Sequence, residues 1–148
     1  MSVPSTLSQT NIQQARLLLQ RGQSLRAIGN LSSAIVSEPD NAEAYELLGI
    51  AYAMADHRIE ARHSFEEAIN RNPKSASVHY NYALFLSAIE ELDDAAEENT
   101  TALYLLPCHS GALSLRDQLA QKMRARAYSS AAYAVTGRTA RRSSAAVA

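Results

Sequence analysis

Between residues 42 and 75 the apolar positions follow a helical rhythm. Tyr45, Leu48, Gly49 and Tyr52 recur at spacings of three and four and share one face of a first helix. Ala61, Phe65 and Ala68 do the same on a second, with polar Asp56-His57-Arg58 between them. This predicts an antiparallel helix pair joined by a short turn. Gly49 and Ala61 are small enough for the two axes to approach closely, while Tyr45, Tyr52 and Phe65 fill the space around that contact. Pro73 lacks an amide hydrogen, so the second helix must stop before it.

The pattern then repeats. Pro39, Pro73 and Pro107 lie 34 residues apart, as do Ala27, Ala61 and Ala95, and Ala34, Ala68 and Ala102. A fixed period of this length marks stacked repeats, whose surfaces usually bind rather than catalyse. Repeat 1 (8–41) is framed by Ala15, Leu18, Ala27, Leu31, Ala34 and Pro39, with Gly22 at its turn and polar Asn11 and Gln14 where repeat 2 (42–75) has Tyr45 and Leu48. Repeat 3 (76–109) is framed by Tyr82, Ala83, Leu86, Ala95, Ala102 and Pro107, with His79 and Asn99 in aromatic positions. Polar departures suit a terminal repeat, but Asn99 must be wet or hydrogen-bonded. Beyond residue 109, Ser110 is placed to cap a further helix whose stripe is Leu115, Leu119 and Met123, with Leu113 and Ala127 at its edges. Arg116 and Asp117 stand where a fourth repeat would carry Leu and Gly, so residues 110–127 read as a closing helix. Gly137 and the Ser pairs argue for a mobile tail over 128–148, with extension of the helix through Ala131–Val135 as the alternative. Residues 1–7 form an N-terminal extension.

These frames resemble the tetratricopeptide repeat: an aromatic, Leu-Gly, Tyr, Ala, an aromatic, Ala and Pro, matched throughout residues 42–75 and in part on either side. The resemblance covers about residues 8–109 and implies an all-α, right-handed superhelical array of three helix pairs with a C-terminal capping helix. In this family the first helix of each pair lines a concave groove where peptides lie. The corresponding positions are Gln9, Ile12, Gln13, Arg16, Leu19 and Gln20; then Glu43, Glu46, Leu47, Ile50, Ala53 and Met54; then Ser77, Tyr80, Asn81, Leu84, Ser87 and Ala88. One subgroup of the family grips the terminal carboxylate of chaperone peptides with Lys, Arg and Asn. The matching positions here are Ile12, Arg16, Leu47, Ser77 and Asn81, of which two are chemically suitable, so that clamp is rejected. What remains is an apolar strip of Ile12, Leu47, Ile50, Met54, Tyr80 and Leu84 with polar edges, a surface that suggests a ligand unless the cap helix or tail covers part of it.

Composition agrees with an all-α chain: 47% apolar residues, five Gly and four Pro. No segment approaches the length of a membrane span, and the N-terminus carries no basic region leading into an apolar core. A single cysteine, Cys108, fits a reducing compartment, so a cytoplasmic location is expected. The sequons at Asn30 and Asn99 fall on expected helices. Charge is uneven: +3 over residues 1–37, −10 over 38–109 and +6 over 110–148. A solvated helical surface accounts for this, or the basic tail meets an acidic face in the same chain or a neighbour. The acidic body speaks against nucleic acid. His57, His63, His79 and His109 lack metal-ligand spacing, and Cys108 beside His109 is a poor nucleophile–base arrangement. The acids Glu90, Glu91, Asp93, Asp94, Glu97 and Glu98 lack a calcium-loop frame and suit a helix N-terminus. No enzyme, metal or cofactor is expected. The expected function is an adaptor binding a partner protein's segment, in a bacterial secretion, pilus or other assembly system. The alternative is a self-assembling structural protein, its basic tail against the acidic body of the next copy.

Overall fold

Pro39, Pro73 and Pro107 each occupy the second position of a four-residue turn, and these turns set the architecture. The computed structural model describes residues 6–145, with side chains through Thr136. Seven helices follow in order: α1 (Thr6–Gln20), α2 (Ser24–Ser37), α3 (Ala42–Met54), α4 (Arg58–Arg71), α5 (Ala76–Ala88), α6 (Leu92–Leu105) and α7 (Ser110–Ala145). The residue before each proline is driven to extended backbone, with φ −139°, −140° and −140° at Glu38, Asn72 and Leu106. Each turn closes with a backbone bond, Asn41 N to Glu38 O (3.2 Å), Ser75 N to Asn72 O (3.3 Å) and His109 N to Leu106 O (3.1 Å). The last residue of each turn then caps the next helix. Asn41 Oδ1 accepts from Ala44 N at 3.1 Å, Ser75 Oγ from Val78 N at 3.4 Å, and His109 Nδ1 from Ala112 N at 3.1 Å. The cap of α7 is therefore His109, one residue before the expected Ser110.

Within each pair a second turn repeats as regularly. Gly22, Asp56 and Glu90 adopt left-handed backbone with φ 71°, 57° and 64°. The amide after each donates to the carbonyl of Leu18 (2.8 Å), Tyr52 (2.9 Å) or Leu86 (3.0 Å), six-to-one bonds that close a Schellman motif. Only in repeat 1 is that residue a glycine, the type that takes this conformation without strain.

Each second helix packs on its own first helix and on the next pair. Gly49 shows why small residues keep the beat. A Cβ there would lie 3.0 Å from the Phe65 ring, which is buried against it. Phe65, Tyr82 and Phe85 form an aromatic cluster, with ring centroids 5.4 Å and 5.8 Å from Phe65. Ala61, Leu86, Leu92, Leu115 and Leu119 complete this core. The junction of repeats 1 and 2 is leaner: Ala15, Ala27, Leu31, Leu48 and Ala51.

α7 covers repeat 3 through Ala112, Leu115 and Leu119, all buried. Asn99 is buried beneath it and donates to Ala112 O at 2.9 Å, which decides between its wet and bonded alternatives; its Oδ1 has no hydrogen-bond partner. Carbohydrate at Asn99 is excluded by that burial. α7 does not end near residue 127. It continues to Ala145, so the mobile tail expected from 128 is corrected to helix as far as Ala145. Ala and Arg favour helix, and one internal Gly costs only about 1 kcal/mol. The first five residues of the N-terminal extension, the last three of the tail and the side chains of Arg138, Arg141 and Arg142 lie outside what is described.

A candidate protein-binding groove between α3 and α5

The polar groove positions bind one another across successive first helices. Arg16 of α1 pairs with Glu43 of α3. Glu46 of α3 accepts from Ser77 Oγ and Asn81 Nδ2 of α5, both at 2.6 Å. These bonds stitch α1 to α3 and α3 to α5 along the groove face. Arg16 and Asn81, the two residues chemically suited to a carboxylate clamp, are thus each held by a glutamate.

The apolar strip divides into packed and open parts. Ile12 is only 5% exposed and packs with Ala34, Ala44 and Leu47, so it is a junction residue that reaches the groove only at the floor of the α1 depression. Leu47 is half-buried on the same cluster and on that of Leu31 and Leu48. Tyr80 is covered by the start of α7. Its ring lies 4.5 Å from that of His109, and a Cβ at Gly111 would come within 2.6 Å of Tyr80 Oη. The open part is a cavity of about 340 Å³ lined by Ile50, Ala53, Met54, Phe65, Asn81, Leu84 and Phe85. Phe65 and Phe85 form its floor, while Met54 and Leu84 stand at its mouth, 50% and 39% exposed. The arrangement offers apolar area, an adaptable thioether and one amide, which is equipment for holding a side chain. Gln9 and Gln13 line a separate depression with Thr6, Thr10 and Glu43 at the start of α1. Leu19 packs in the first core, Ser87 is buried, and Gln20 and Ala88 are exposed away from the cavity.

Several residues that anchor the groove carry no family signature. Arg71 lies over the Tyr45 ring at 4.0 Å, donates to Pro39 O at 2.7 Å and pairs with Glu67. The hydrogen bond from Arg71 lowers the Glu67 carboxyl below its ordinary value, and the same bond raises the guanidinium. Arg62 pairs with Glu91 and donates to Tyr82 Oη at 3.2 Å; the hydrogen bond to Glu91 is the main reason its pKa is raised. Burial pushes the Tyr82 phenol up to about 12 against the opposing pull of Arg62. His79 is buried between Glu98 (2.6 Å from Nδ1) and Pro73 O (3.0 Å from Nε2), tying α5 to α6 and to the turn before it. Within the capping segment Lys122 pairs with Glu90 and Arg126 with Asp93, each at 2.9 Å. Arg71, Arg62 and Gly111 escape sequence reading because nothing in their spacing sets them apart from a solvated helix face.

Comparison with known proteins accords with this geometry. Models of the tetratricopeptide repeat match residues 12–56 and 64–97. No curated protein matches. Among solved structures, the first TPR domain of human RPAP3 shares 15% identity at a TM-score of 0.78, covering 83% of this chain and 97% of that one. The TPR2B domain of yeast Sti1, solved in complex with pHsp70, shares 18% at 0.73, covering 80% and 99%. Pseudomonas aeruginosa pilF shares 22% at 0.75, covering 80% of this chain and 54% of that one. The three helix pairs, their turns and the matched residues lead to one conclusion: the chain belongs to the tetratricopeptide repeat family.

Proposed function

We propose that the chain is a protein–protein interaction adaptor that holds an apolar side chain of a partner's helix or extended segment in the cavity between α3 and α5. The observation that carries this reading is Met54 and Leu84 left exposed above a buried Phe65–Phe85 floor. An apolar concavity with two exposed apolar side chains at its rim supports this reading, since such a pocket can take a partner's anchor side chain. The Sti1 domain in complex with pHsp70 supports peptide binding on the shared fold. An acidic peptide tail is disfavoured here, because Glu43 and Glu46 hold the polar positions. We place this adaptor in the cytoplasm, in a secretion, pilus or other assembly system, a setting drawn from family analogy.

The test is site-specific photocrosslinking from position 84. A partner adduct is expected there, reduced at least tenfold by Met54→Glu, because a carboxylate in the cavity mouth must be desolvated. Helicity should not change, since Met54 is a surface side chain. Equal adduct yield from position 36, where Val36 is exposed on α2, would overturn the assignment.

A further inference from the structure

The apolar face of α7 changes sides halfway along the helix. Through its first half the stripe is Leu115, Leu119 and Met123, which packs on repeat 3. Continued at helical spacing, that face carries Arg126 and Ser130 and then an exposed Tyr133. A new stripe, Tyr128, Ala131, Ala132 and Val135, begins at spacings of zero, three, four and seven. At 3.6 residues per turn it lies on roughly the opposite side of the helix, facing away from the repeats. Every residue from Arg124 to Thr136 is exposed, with Tyr128 at 80% and Val135 at 63%. The distal half therefore has an organised apolar face and no apolar surface of its own chain to cover it. A helix of this length standing free in water is marginal, so a partner would stabilise it.

Charge indicates which partner. Residues 124–148 carry five Arg and no acid, one of them (Arg126) paired with Asp93 of its own chain, whereas residues 38–109 carry a net −10. Two distal halves would repel each other, but a distal half and an acidic body attract. One open feature of the body with a mostly apolar lining is the cavity under Met54 and Leu84. The stripe from Tyr128 to Val135 spans about 10 Å of helix, matched to a single pocket of this kind. We infer that the distal half of α7 docks its Tyr128–Val135 face into the α3–α5 cavity of a second copy. The contact is heterologous: each copy offers one stripe and one cavity, so association propagates into a ring or filament. This inference rests on the reading of the cavity as a docking site and names a second copy as its occupant.

The experiment uses the full chain and two surface variants, Tyr128→Ser with Val135→Ser and Met54→Glu with Leu84→Glu, followed by sedimentation velocity from micromolar to millimolar concentration. The wild type is expected to grow in mass with concentration, and less so in high salt. Each double variant alone should stay monomeric with wild-type helicity. Their equimolar mixture is the decisive sample, because one partner keeps only the cavity and the other only the stripe. It should form a one-to-one pair that grows no further. A mixture that remains monomeric overturns the inference. So does a wild type that stays monomeric throughout but pellets with phosphatidylserine vesicles, since the stripe would then face a membrane. If the wild type stays monomeric while position 84 still crosslinks a different protein, self-docking fails and the adaptor reading stands. If the cavity variant still associates while the stripe variant does not, the cavity fails as the acceptor.

Discussion

Gly49 and Gly111 both make room for an aromatic ring, but the two rings differ in freedom. A Cβ at residue 49 meets the Phe65 ring at 3.0 Å, and Phe65 is pinned by Tyr82 and Phe85. A Cβ at residue 111 comes closer, 2.6 Å from Tyr80 Oη, yet it meets the far end of a half-buried side chain that can swing toward the groove. Gly49→Ala should therefore destabilise by about 1–3 kcal/mol in urea unfolding, and Gly111→Ala by less despite its shorter contact. Tyr82 supplies a pH test. Its phenol, pushed up to about 12 by burial, ionises near 10 in the unfolded chain. The folded state thus holds its proton longer, a contribution present in full below pH 10 and lost as pH rises toward 12. The wild type should lose stability more steeply than Tyr82→Phe across that window, measured by urea unfolding at fixed pH steps. The frame residues were legible because volume constraints recur each period. Ile12 was not, because family register puts it at a groove position, while the alanines at 34 and 44 let it sink between helices.

At the scale of the element, the sequence period reappears as three identical sets of turn bonds, with Pro, left-handed residue and cap each 34 positions apart. Asn41→Ala and Ser75→Ala should each cost about 1 kcal/mol, because each removes an acceptor from an otherwise unpaired helix amide. A double variant should lose the sum, since the two caps lie on different helices and share no partner. Asn41→Gly, which leaves the backbone amide to water, should lose only a few tenths. Urea midpoints for the four proteins check the set. The end of α7 was much less legible than its start. Pro107 and the cap at 109 announce the start, but the Ala, Ser and Arg beyond residue 127 leave helix and coil close in free energy. Because Arg124–Thr136 is exposed, removing residues 128–148 should change unfolding free energy by less than about 0.5 kcal/mol while lowering helix content. A large loss of stability on that truncation would mean that the distal half packs on the repeats after all.

Across the whole molecule the aromatic part of the core lies toward the C-terminal end. The core around repeat 3 holds three aromatic rings and the leucines of α5, α6 and α7, whereas the junction of repeats 1 and 2 holds alanines, two leucines and Ile12. An array of this kind is stabilised by its units and by the interfaces between neighbours, so a unit with one interface opens before a unit with two. α1 is the outermost element of the one-interface unit, repeat 1. Its face toward repeat 2 buries Ser8, Ile12 and Ala15, and its link to α3 along the groove is the exposed Arg16–Glu43 pair, worth little in water. Repeat 3 is held on both sides, by repeat 2 and by α7 through Asn99, Leu115 and Leu119. Native-state hydrogen exchange should therefore protect amides of α4, α5 and α6 most and release those of α1 and α2 at lower free energy. Ala27→Gly on the inner face of α2 should speed exchange in α1 and α2 while leaving α5 and α6 unchanged. Uniform acceleration across all seven helices would instead mean that the array opens as a single unit, with the end repeat held as firmly as the inner ones.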